Sequence, residues 1–238
     1  MLVAAPVKNN LHLTQDFIAS AREQQGDHEL WILDNGSDDG TAEWLAAQHD
    51  VQVMDCPGAS LYEMWNTILV LAAARNLHPL ICNNDITFDQ GNVVKAIEDV
   101  LNAAPKVWVC TPNDGYYKGL GPVKVPPFAQ DKGGPLGYCF GMRVTGLKFD
   151  EGYDLWYGDT DMWCQVWDEG KDLVILQGLT VTHFDGGSQT LDLIDAEEKQ
   201  AKIAADGRRF SENWSAWFDK QDDLRKMYVD VSYSAPTG

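Results

Sequence analysis

The feature that most constrains the fold is a regular alternation of short apolar runs with amphipathic stretches through residues 2–110. The apolar runs predict strands and the amphipathic stretches predict helices, because their apolar residues recur at strand or helix spacing. Strands are predicted at 2–5, 29–33, 51–54, 79–82 and 106–110, and helices at 10–24, 41–48, 61–75 and 92–103. This order is typical of an open α/β sheet, mostly parallel, with helices on both faces. Such sheets bind ligands at the carboxyl ends of their strands.

The rest of the chain is less regular. Residues 111–137 are rich in Gly and Pro, which predicts a long ordered loop or lid. Structure is expected to resume at 138–144, with a helix at 160–169, strands at 173–176 and 179–182, and helices at 191–205 and 211–227. We therefore expect one domain over 1–190, a helical extension packed on it over 191–231, and a frayed tail over 232–238.

The chain is strongly acidic, with 36 Asp and Glu against 18 Lys and Arg and a formal net charge of -18. The charge mainly favours solubility. It disfavours binding to an unmodified nucleic-acid backbone, which usually requires a basic surface. An acidic protein that binds a diphosphate also needs a way to neutralise it, and a divalent cation would serve.

The cysteines indicate a reducing compartment. The chain has five of them, an odd number, with no C-x-x-C pair, and most lie in apolar stretches. Buried thiols in the cytoplasm are the simplest interpretation. No signal peptide and no apolar run long enough to span a bilayer is visible, so we expect a cytoplasmic protein without an integral membrane segment.

Two polar motifs follow predicted strands in the first half. The segment I-L-D-N-G-S-D-D-G-T begins at Ile32 and places Asp34 at a strand end, where a carboxylate can bind a base or a ribose hydroxyl. Taken alone, it is a turn and a helix cap. The segment L-I-C-N-N-D-I-T-F begins at Leu80 and places Asp85 where it could bind a hard cation bridging two phosphates. The alternative is an Asx turn that ends the strand.

Two further motifs lie in the second half. The segment F-D-E-G-Y-D-L-W-Y-G-D-T-D-M-W begins at Phe149 and carries Asp159 and Asp161 at a predicted helix start. Aspartates are favoured there as caps, so a structural role is the alternative for one of them. The segment T-V-T-H-F-D-G-G-S begins at Thr180 and carries His183 between a strand and a Gly-Gly turn. A single His is more often structural than a ligand, although imidazole binds manganese-like ions well.

In this order the four motifs resemble those of glycosyltransferase family 2. The corresponding family patterns are D-N-G-S-x-D-G-T, the N-N-D variant of the D-x-D site seen in rhamnosyltransferase-like members, F-D-E…E-D-x-D, and v-x-H-x-x-G-x-S. The resemblance covers residues 1–190. It implies the GT-A fold, an α/β architecture with a mostly parallel central sheet flanked by helices and a small antiparallel addition. It also implies a metal-dependent transferase that inverts the anomeric centre of a sugar taken from a nucleotide-sugar donor.

The resemblance assigns roles residue by residue. Asp159 would be the general base, with Asp161 as the second candidate. Asp85 and His183 would hold a divalent cation, Mn2+ or Mg2+, and Asp185 is a weaker candidate. Residues expected at the nucleotide sugar are Pro6, Val7, Asn9, Asp34, Asn66, Asn83 and Asn84, with Lys8 and Ser188 as further candidates. For Asn66, burial inside a helix is an equally open alternative.

The chain departs from the family pattern at three positions. Asn83 replaces the first carboxylate of the metal motif, and Gly158 stands where the family usually has Glu. The chain has V-K-N, with Lys8, where the family often has a T-Y-N-like segment. The missing acids keep open a nucleotide-sugar-binding module with a decayed active site. A nucleotidyltransferase is a further alternative, although the A-P-V-K-N-N segment lacks the Gly-rich basic loop of that class. UDP is the default nucleotide, and the acceptor, whether a glycan, a protein, a lipid-linked sugar or a modified nucleobase, is not identified.

Overall fold

The computed structural model describes residues 1–113, 121–125, 135–154, 156–184 and 195–228, with side chains as far as residue 221. The strands are β1 Leu2–Val7, β2 Glu29–Asp34, β3 Val51–Asp55, β4 Pro79–Cys82, β5 Ile86–Phe88, β6 Val107–Asn113, β7 Pro122–Val125, β8 Cys139–Met142 and β9 Asp172–His183. The helices are α1 Leu11–Arg22, α2 Thr41–Ala46, α3 Leu61–Arg75, α4 Val93–Ala103, α5 Gly158–Asp168 and α6 Ala196–Tyr228.

Within the described residues, the strands form one nine-stranded sheet in the order β3-β2-β1-β4-β8-β6-β9-β5, with β7 also paired to β9. Strands β1 to β4 are parallel, and β6 is parallel to β9. Strand β8 lies antiparallel between β4 and β6, while β5 and β7 pair antiparallel with β9. The prediction of a mostly parallel α/β sheet with an antiparallel addition is confirmed.

Each face of the sheet carries its own hydrophobic core, because successive side chains of a strand point to opposite faces. Val3 and Ala5 of β1 belong to the cluster that α1 and α4 cover. Leu2 and Ala4 belong to the cluster that α3 and α5 cover. A sheet covered on both sides leaves its strand ends as the exposed edge, which is where the polar motifs lie.

The structure corrects three details of the predicted elements. One strand, β9, replaces the two strands expected at 173–176 and 179–182, because its first part pairs with β6 and β7 and its end pairs with β5. One helix, α6, replaces the two expected at 191–205 and 211–227 and continues through Gly207. A Cβ added at Gly207 would lie 3.6 Å from the ring of Tyr157. Strand β7 lies inside the predicted lid.

Several expectations fall on residues that the structure does not describe. They include most of the lid at 114–120 and 126–134, and the tail at 232–238. None of the described helices combines the length and the apolar composition that crossing a bilayer requires.

Helix α3 begins with Ser60 as its N-cap. The Ser60 Oγ accepts a hydrogen bond from the Glu63 backbone N–H at 3.2 Å, and the Glu63 carboxylate accepts one from the Ser60 N–H at 2.7 Å. This reciprocal pair is a capping box, which satisfies two backbone donors at the helix start.

Ser60→Ala should therefore lower the free energy of unfolding by about 1 kcal/mol, because the Glu63 N–H loses its acceptor. Glu63→Gln keeps an oxygen that can accept from Ser60 and should cost less. Urea denaturation of both variants measures the difference. An equal loss in both would contradict the prediction and would mean that the carboxylate charge contributes as much as the Ser60 hydroxyl.

Candidate functional site

The predicted site residues of the first half of the chain, 6–9, 34 and 83–85, lie at the carboxyl ends of β1, β2 and β4. The loops after β1 and β2 are joined by side-chain to backbone hydrogen bonds. The Asn9 N–H donates to Ser37 Oγ at 2.7 Å, and Asn9 Oδ1 accepts from the Asp38 N–H at 2.8 Å. Asn9 has φ 61, in the left-handed region that Asn tolerates better than most residues. Both loops are thus held in one conformation beside the strand ends.

Asp34 is the last residue of β2 and is 3% exposed. Its Oδ1 accepts hydrogen bonds from Ser37, at 3.1 Å from the backbone N–H and 2.5 Å from the hydroxyl. One oxygen of the carboxylate therefore shapes the D-N-G-S turn, as the turn alternative requires. Contact between Asp34 and a nucleotide base stays a prediction.

The neighbours of Asp34 complete this end of the site. Pro6 and Val7 are buried residues of β1, and Val7 is in register with Asp34. Lys8 is exposed, and its Nζ lies 3.4 Å from the backbone carbonyl of Asn35. This part of the edge therefore combines the buried carboxylate of Asp34 with the exposed ammonium group of Lys8.

Asp85 and His183 lie side by side. The antiparallel pairing of β5 with β9 sets Ile86 opposite His183, and the Phe184 N–H donates to the Asp85 carbonyl at 2.9 Å. His183 Nε2 lies 3.3 Å from Asp85 Oδ1. Asp85 is 5% exposed, and its buried Oδ1 accepts no hydrogen bond from the described residues. The strand pairing thus places a carboxylate and an imidazole in contact with each other.

Tyr138 packs on the same pair. Its ring is stacked on the His183 imidazole, with centroids 4.2 Å apart and planes 5° apart. Its carbonyl accepts a hydrogen bond from the Asn83 N–H at 2.8 Å. Tyr138 therefore links the N-N-D turn to the His strand, although nothing in its sequence context indicates a site residue.

The two asparagines of the N-N-D motif differ in their surroundings. Asn83 is held through its backbone N–H, whereas Asn84 Nδ2 donates to Thr14 Oγ1 of α1 at 3.0 Å. Of the motif, only Asp85 can supply a charged oxygen. Within the described residues, no group of three or more His, Cys, Asp or Glu side chains forms a metal-binding cluster. Asp185 and Ser188 lie outside the described residues.

Asp159 stands in the first turn of α5 against the backbone of Gly137. A Cβ at Gly137 would lie 2.0 Å from Asp159 Oδ2, so only glycine leaves room for this carboxylate. Burial raises the pKa of Asp159, and hydrogen bonds from the Thr160 N–H and hydroxyl oppose the rise. A carboxylate with a raised pKa accepts a proton more readily than an ordinary one.

The structure explains why residue 158 is glycine. A Cβ there would lie 2.2 Å from the ring of Tyr62, and the Gly158 N–H donates to the Tyr62 hydroxyl at 3.1 Å. A glutamate side chain, as the family usually has, would not fit beside this ring. Burial is the main cause that raises the pKa of Tyr62, and the charge of Asp159 adds to it, so the phenol stays protonated.

Asp161 is 3% exposed and fully engaged by neighbouring side chains. Its Oδ1 accepts from the Tyr153 hydroxyl at 3.1 Å and from Trp214 Nε1 at 2.7 Å. Its Oδ2 accepts from Gln165 Nε2 at 2.8 Å. These bonds join α5 to α6, so a structural role accounts for this carboxylate.

Asn66 is likewise engaged inside the protein. Its Nδ2 donates to the Phe149 carbonyl at 2.9 Å and to Glu151 Oε1 at 2.8 Å, and its Oδ1 accepts from the Phe149 N–H at 2.8 Å. The buried-helix alternative describes these contacts, and a contact with a donor stays a prediction. Tyr62 and Tyr138, which contact Gly158 and His183, and Asp206 of α6, which binds the backbone of Asp154 and Trp156, are not signalled by any sequence motif.

Asp161→Asn should lower the free energy of unfolding by about 1–3 kcal/mol, because an amide cannot accept at both ends. Asp168→Asn is the matched control, since Asp168 is exposed and accepts a hydrogen bond from Nε1 of Trp217, which lies in α6 like Trp214. Urea denaturation should show the larger loss for Asp161. Equal losses would contradict the structural role assigned to Asp161.

Comparison with known proteins places the chain in a family. The family model described as Glycosyl transferase family 2 matches residues 2–130, more than half of the chain. No curated protein matches the chain by sequence.

Solved structures share the fold at low identity. GalNAc-T7, crystallised with UDP, GalNAc and Mn2+, matches with a TM-score of 0.60 at 10% identity, over 76% of this chain and 43% of that one. S. aureus TarS 1-349 matches with 0.57 at 13% identity, over 89% and 71%. The mannosyltransferase PcManGT from Pyrobaculum calidifontis, in complex with GDP-Man and Mn2+, matches with 0.53 at 16% identity, over 73% and 55%. The chain spans less than half the length of the GalNAc-T7 chain, and these likenesses show the GT-A fold.

Proposed function

Because the chain belongs to glycosyl transferase family 2, we propose that it transfers one sugar from a nucleoside diphosphate sugar to an acceptor, with inversion and with the help of a divalent cation. The observation that carries the proposal is the contact between Asp85 and His183. A strand pairing brings these two side chains together from distant parts of the chain, at the edge where α/β sheets bind ligands.

The chemistry of this pair fits a divalent cation. Beyond its ion-pair contact with His183, the buried Asp85 Oδ1 accepts no hydrogen bond from the described residues, and a bound cation would compensate its charge. Carboxylate and imidazole are both suitable ligands for Mn2+, and Mg2+ prefers oxygen. When bound, the cation would neutralise the charge of the departing diphosphate. Asp85 and His183 would hold it, leaving its other positions to phosphate oxygens and water.

The donor is proposed to lie along the joined loops after β1 and β2. Asp34, Asn9 and the buried strand end at Pro6 and Val7 form the nucleoside side, and the N-N-D turn forms the phosphate side. UDP is the proposed nucleotide, supported by the UDP in the GalNAc-T7 structure. The GDP-Man bound to PcManGT makes a guanosine donor the alternative to test.

Asp159 is the proposed general base. It would remove a proton from the acceptor nucleophile while that nucleophile bonds to the anomeric carbon. The bond from that carbon to the diphosphate oxygen would break in the same step, and the nucleoside diphosphate would leave with the electron pair. The raised pKa of Asp159 suits this role, and the carboxylate's place against Gly137 fixes its position.

The metal assignment is tested by calorimetry with UDP. Wild type should bind UDP at least about tenfold more tightly with MnCl2 than with EDTA, the usual scale for disturbing a metal site. Asp85→Asn should lose this difference. Asp89→Asn is the control, because Asp89 is exposed and its carboxylate accepts, among its described contacts, from the Thr180 and Thr182 hydroxyls of β9. Equal UDP affinity with and without chelator would remove the metal role.

Asp159→Asn should bind UDP normally and lose turnover by about a hundredfold or more, because an amide cannot accept the proton. Turnover is measured as the release of UDP or GDP from a nucleotide sugar. The donor is chosen by thermal shift with and without Mn2+ from UDP-glucose, UDP-galactose, UDP-N-acetylglucosamine and GDP-mannose. Burial raises the pKa of Asp159, so its carboxylate is protonated at a higher pH than that of an exposed Asp. As the pH is lowered, wild-type turnover should therefore begin to fall above the pH at which an exposed Asp is protonated.

The alternatives give different results in this assay. A decayed binding module binds a nucleotide sugar and releases no nucleoside diphosphate. If Asp159→Asn stays active while a folded Asp161→Asn is inactive, the two aspartates have been assigned in reverse.

A further inference from the structure

The segment in front of Asp159 is held between two helices. This segment, residues 149–158 without residue 155, is here named the base loop. From α3, the Asn66 amide binds the backbone of Phe149 and the Tyr62 hydroxyl accepts from the Gly158 N–H. These contacts fix both ends of the base loop on its inner side.

Asp206 of α6 binds the outer side of the base loop. It is 3% exposed, and its two carboxylate oxygens accept from the backbone N–H groups of Asp154 at 3.0 Å and Trp156 at 2.9 Å. A buried carboxylate that accepts two backbone hydrogen bonds forms strong, charge-assisted contacts. Because these contacts reach the main chain, they set the path of the backbone directly before Asp159.

Aromatic packing by α6 supports the same stretch. Tyr157, the N-cap of α5, has φ 67, and its ring stacks on Phe210 of α6 with centroids 5.2 Å apart. Gly207 leaves room for the edge of this ring. The left-handed region is unfavourable for a non-glycine residue, so the surroundings of Tyr157 must hold it there. Tyr157 turns the chain into the helix that carries Asp159.

Arg209 closes the start of the base loop. Its Nε and Nη2 each donate to the Asp150 carboxylate at 2.8 Å. A Cβ at Gly152 would lie 2.3 Å from the guanidinium, so glycine lets Arg209 lie across the backbone. Apart from the bonds that Asp195 accepts from the first turn of α6, the hydrogen bonds and ion pairs described between α6 and the rest of the chain reach residues 150–168. None of them involves the loops after β1, β2 or β4.

We propose that α6 is a positioning element for the catalytic base, with Asp206 as its central positioning residue. By holding the backbone at Asp154 and Trp156, Asp206 keeps Asp159 against Gly137, where it can meet the acceptor nucleophile. The inference rests on the proposed role of Asp159. It separates two functions of the fold: the strand-end loops bind the nucleotide, and α6 determines how fast the bound donor reacts.

The test compares Asp206→Ala and Asp206→Asn with wild type, in the full chain and with Mn2+ present. Calorimetry gives the affinity and the stoichiometry for UDP, and nucleoside diphosphate release from the selected nucleotide sugar gives turnover. Asp206→Ala should keep its UDP affinity within about twofold, yet lose at least about tenfold in turnover per UDP-binding site, because small displacements of a reacting group are costly. Asp206→Asn keeps one accepting oxygen and should lie between the two.

Hydrogen exchange provides a readout that does not depend on turnover. Amides in residues 150–161 should exchange faster in Asp206→Ala than in wild type, while those of β1 and α1 stay unchanged. Asp219→Asn is the matched control, because Asp219 is an exposed acid on the same helix. It should alter neither exchange nor turnover.

The outcomes separate this inference from the proposed function. If Asp206→Ala retains wild-type turnover while Asp159→Asn has lost it, the positioning role is wrong and the base assignment stands. If UDP affinity falls together with turnover, Asp206 supports the whole fold and the positioning role is again wrong. If Asp159→Asn retains turnover, the base assignment fails and the positioning role fails with it.

Discussion

The candidate site depends on the antiparallel pairing of β5 with β9. These short ladders of backbone hydrogen bonds set Ile86 opposite His183 and Phe88 opposite Val181. The N-N-D turn and the His strand are far apart in sequence, and this pairing joins them directly. In this arrangement, a buried carboxylate and an imidazole stand 3.3 Å apart, and Tyr138 stacks on the imidazole to hold it in place. The antiparallel strands are therefore the part of the sheet that assembles the proposed metal site.

The second constraint is steric and acts on the start of α5. Gly137 leaves space for the Asp159 carboxylate, and Gly158 leaves space for the Tyr62 ring. The glycine that interrupts the family's acidic pattern is thus required by packing. Asp161, the other acid of this motif, is consumed by hydrogen bonds to Tyr153, Trp214 and Gln165. Two aspartates two residues apart consequently have different environments, one against a loop backbone and one inside the contact between α5 and α6.

The sequence predicted the parallel half of the fold and the residues at its edge, because strand periodicity and turn motifs are local signals. The resemblance to the family implied that Asp85 and His183 lie at one site, and the structure places them 3.3 Å apart. The sequence did not predict that β9 is continuous or that α6 is a single helix, since both depend on partners distant in sequence. The roles of Tyr62, Tyr138 and Asp206 were missed for the same reason: each resembles an ordinary helix or strand residue until its neighbours are known.

The central claim is that Asp85 and His183 hold a divalent cation at the diphosphate of the donor. A crystal of the chain grown with UDP and Mn2+, measured at the manganese absorption edge, tests it most directly. If these two residues hold the cation, one anomalous peak should lie within about 2.5 Å of an Asp85 carboxylate oxygen and of the His183 imidazole, a distance typical of bound divalent cations. UDP bound at the strand ends with no anomalous peak, or with a peak held by other residues, would contradict it.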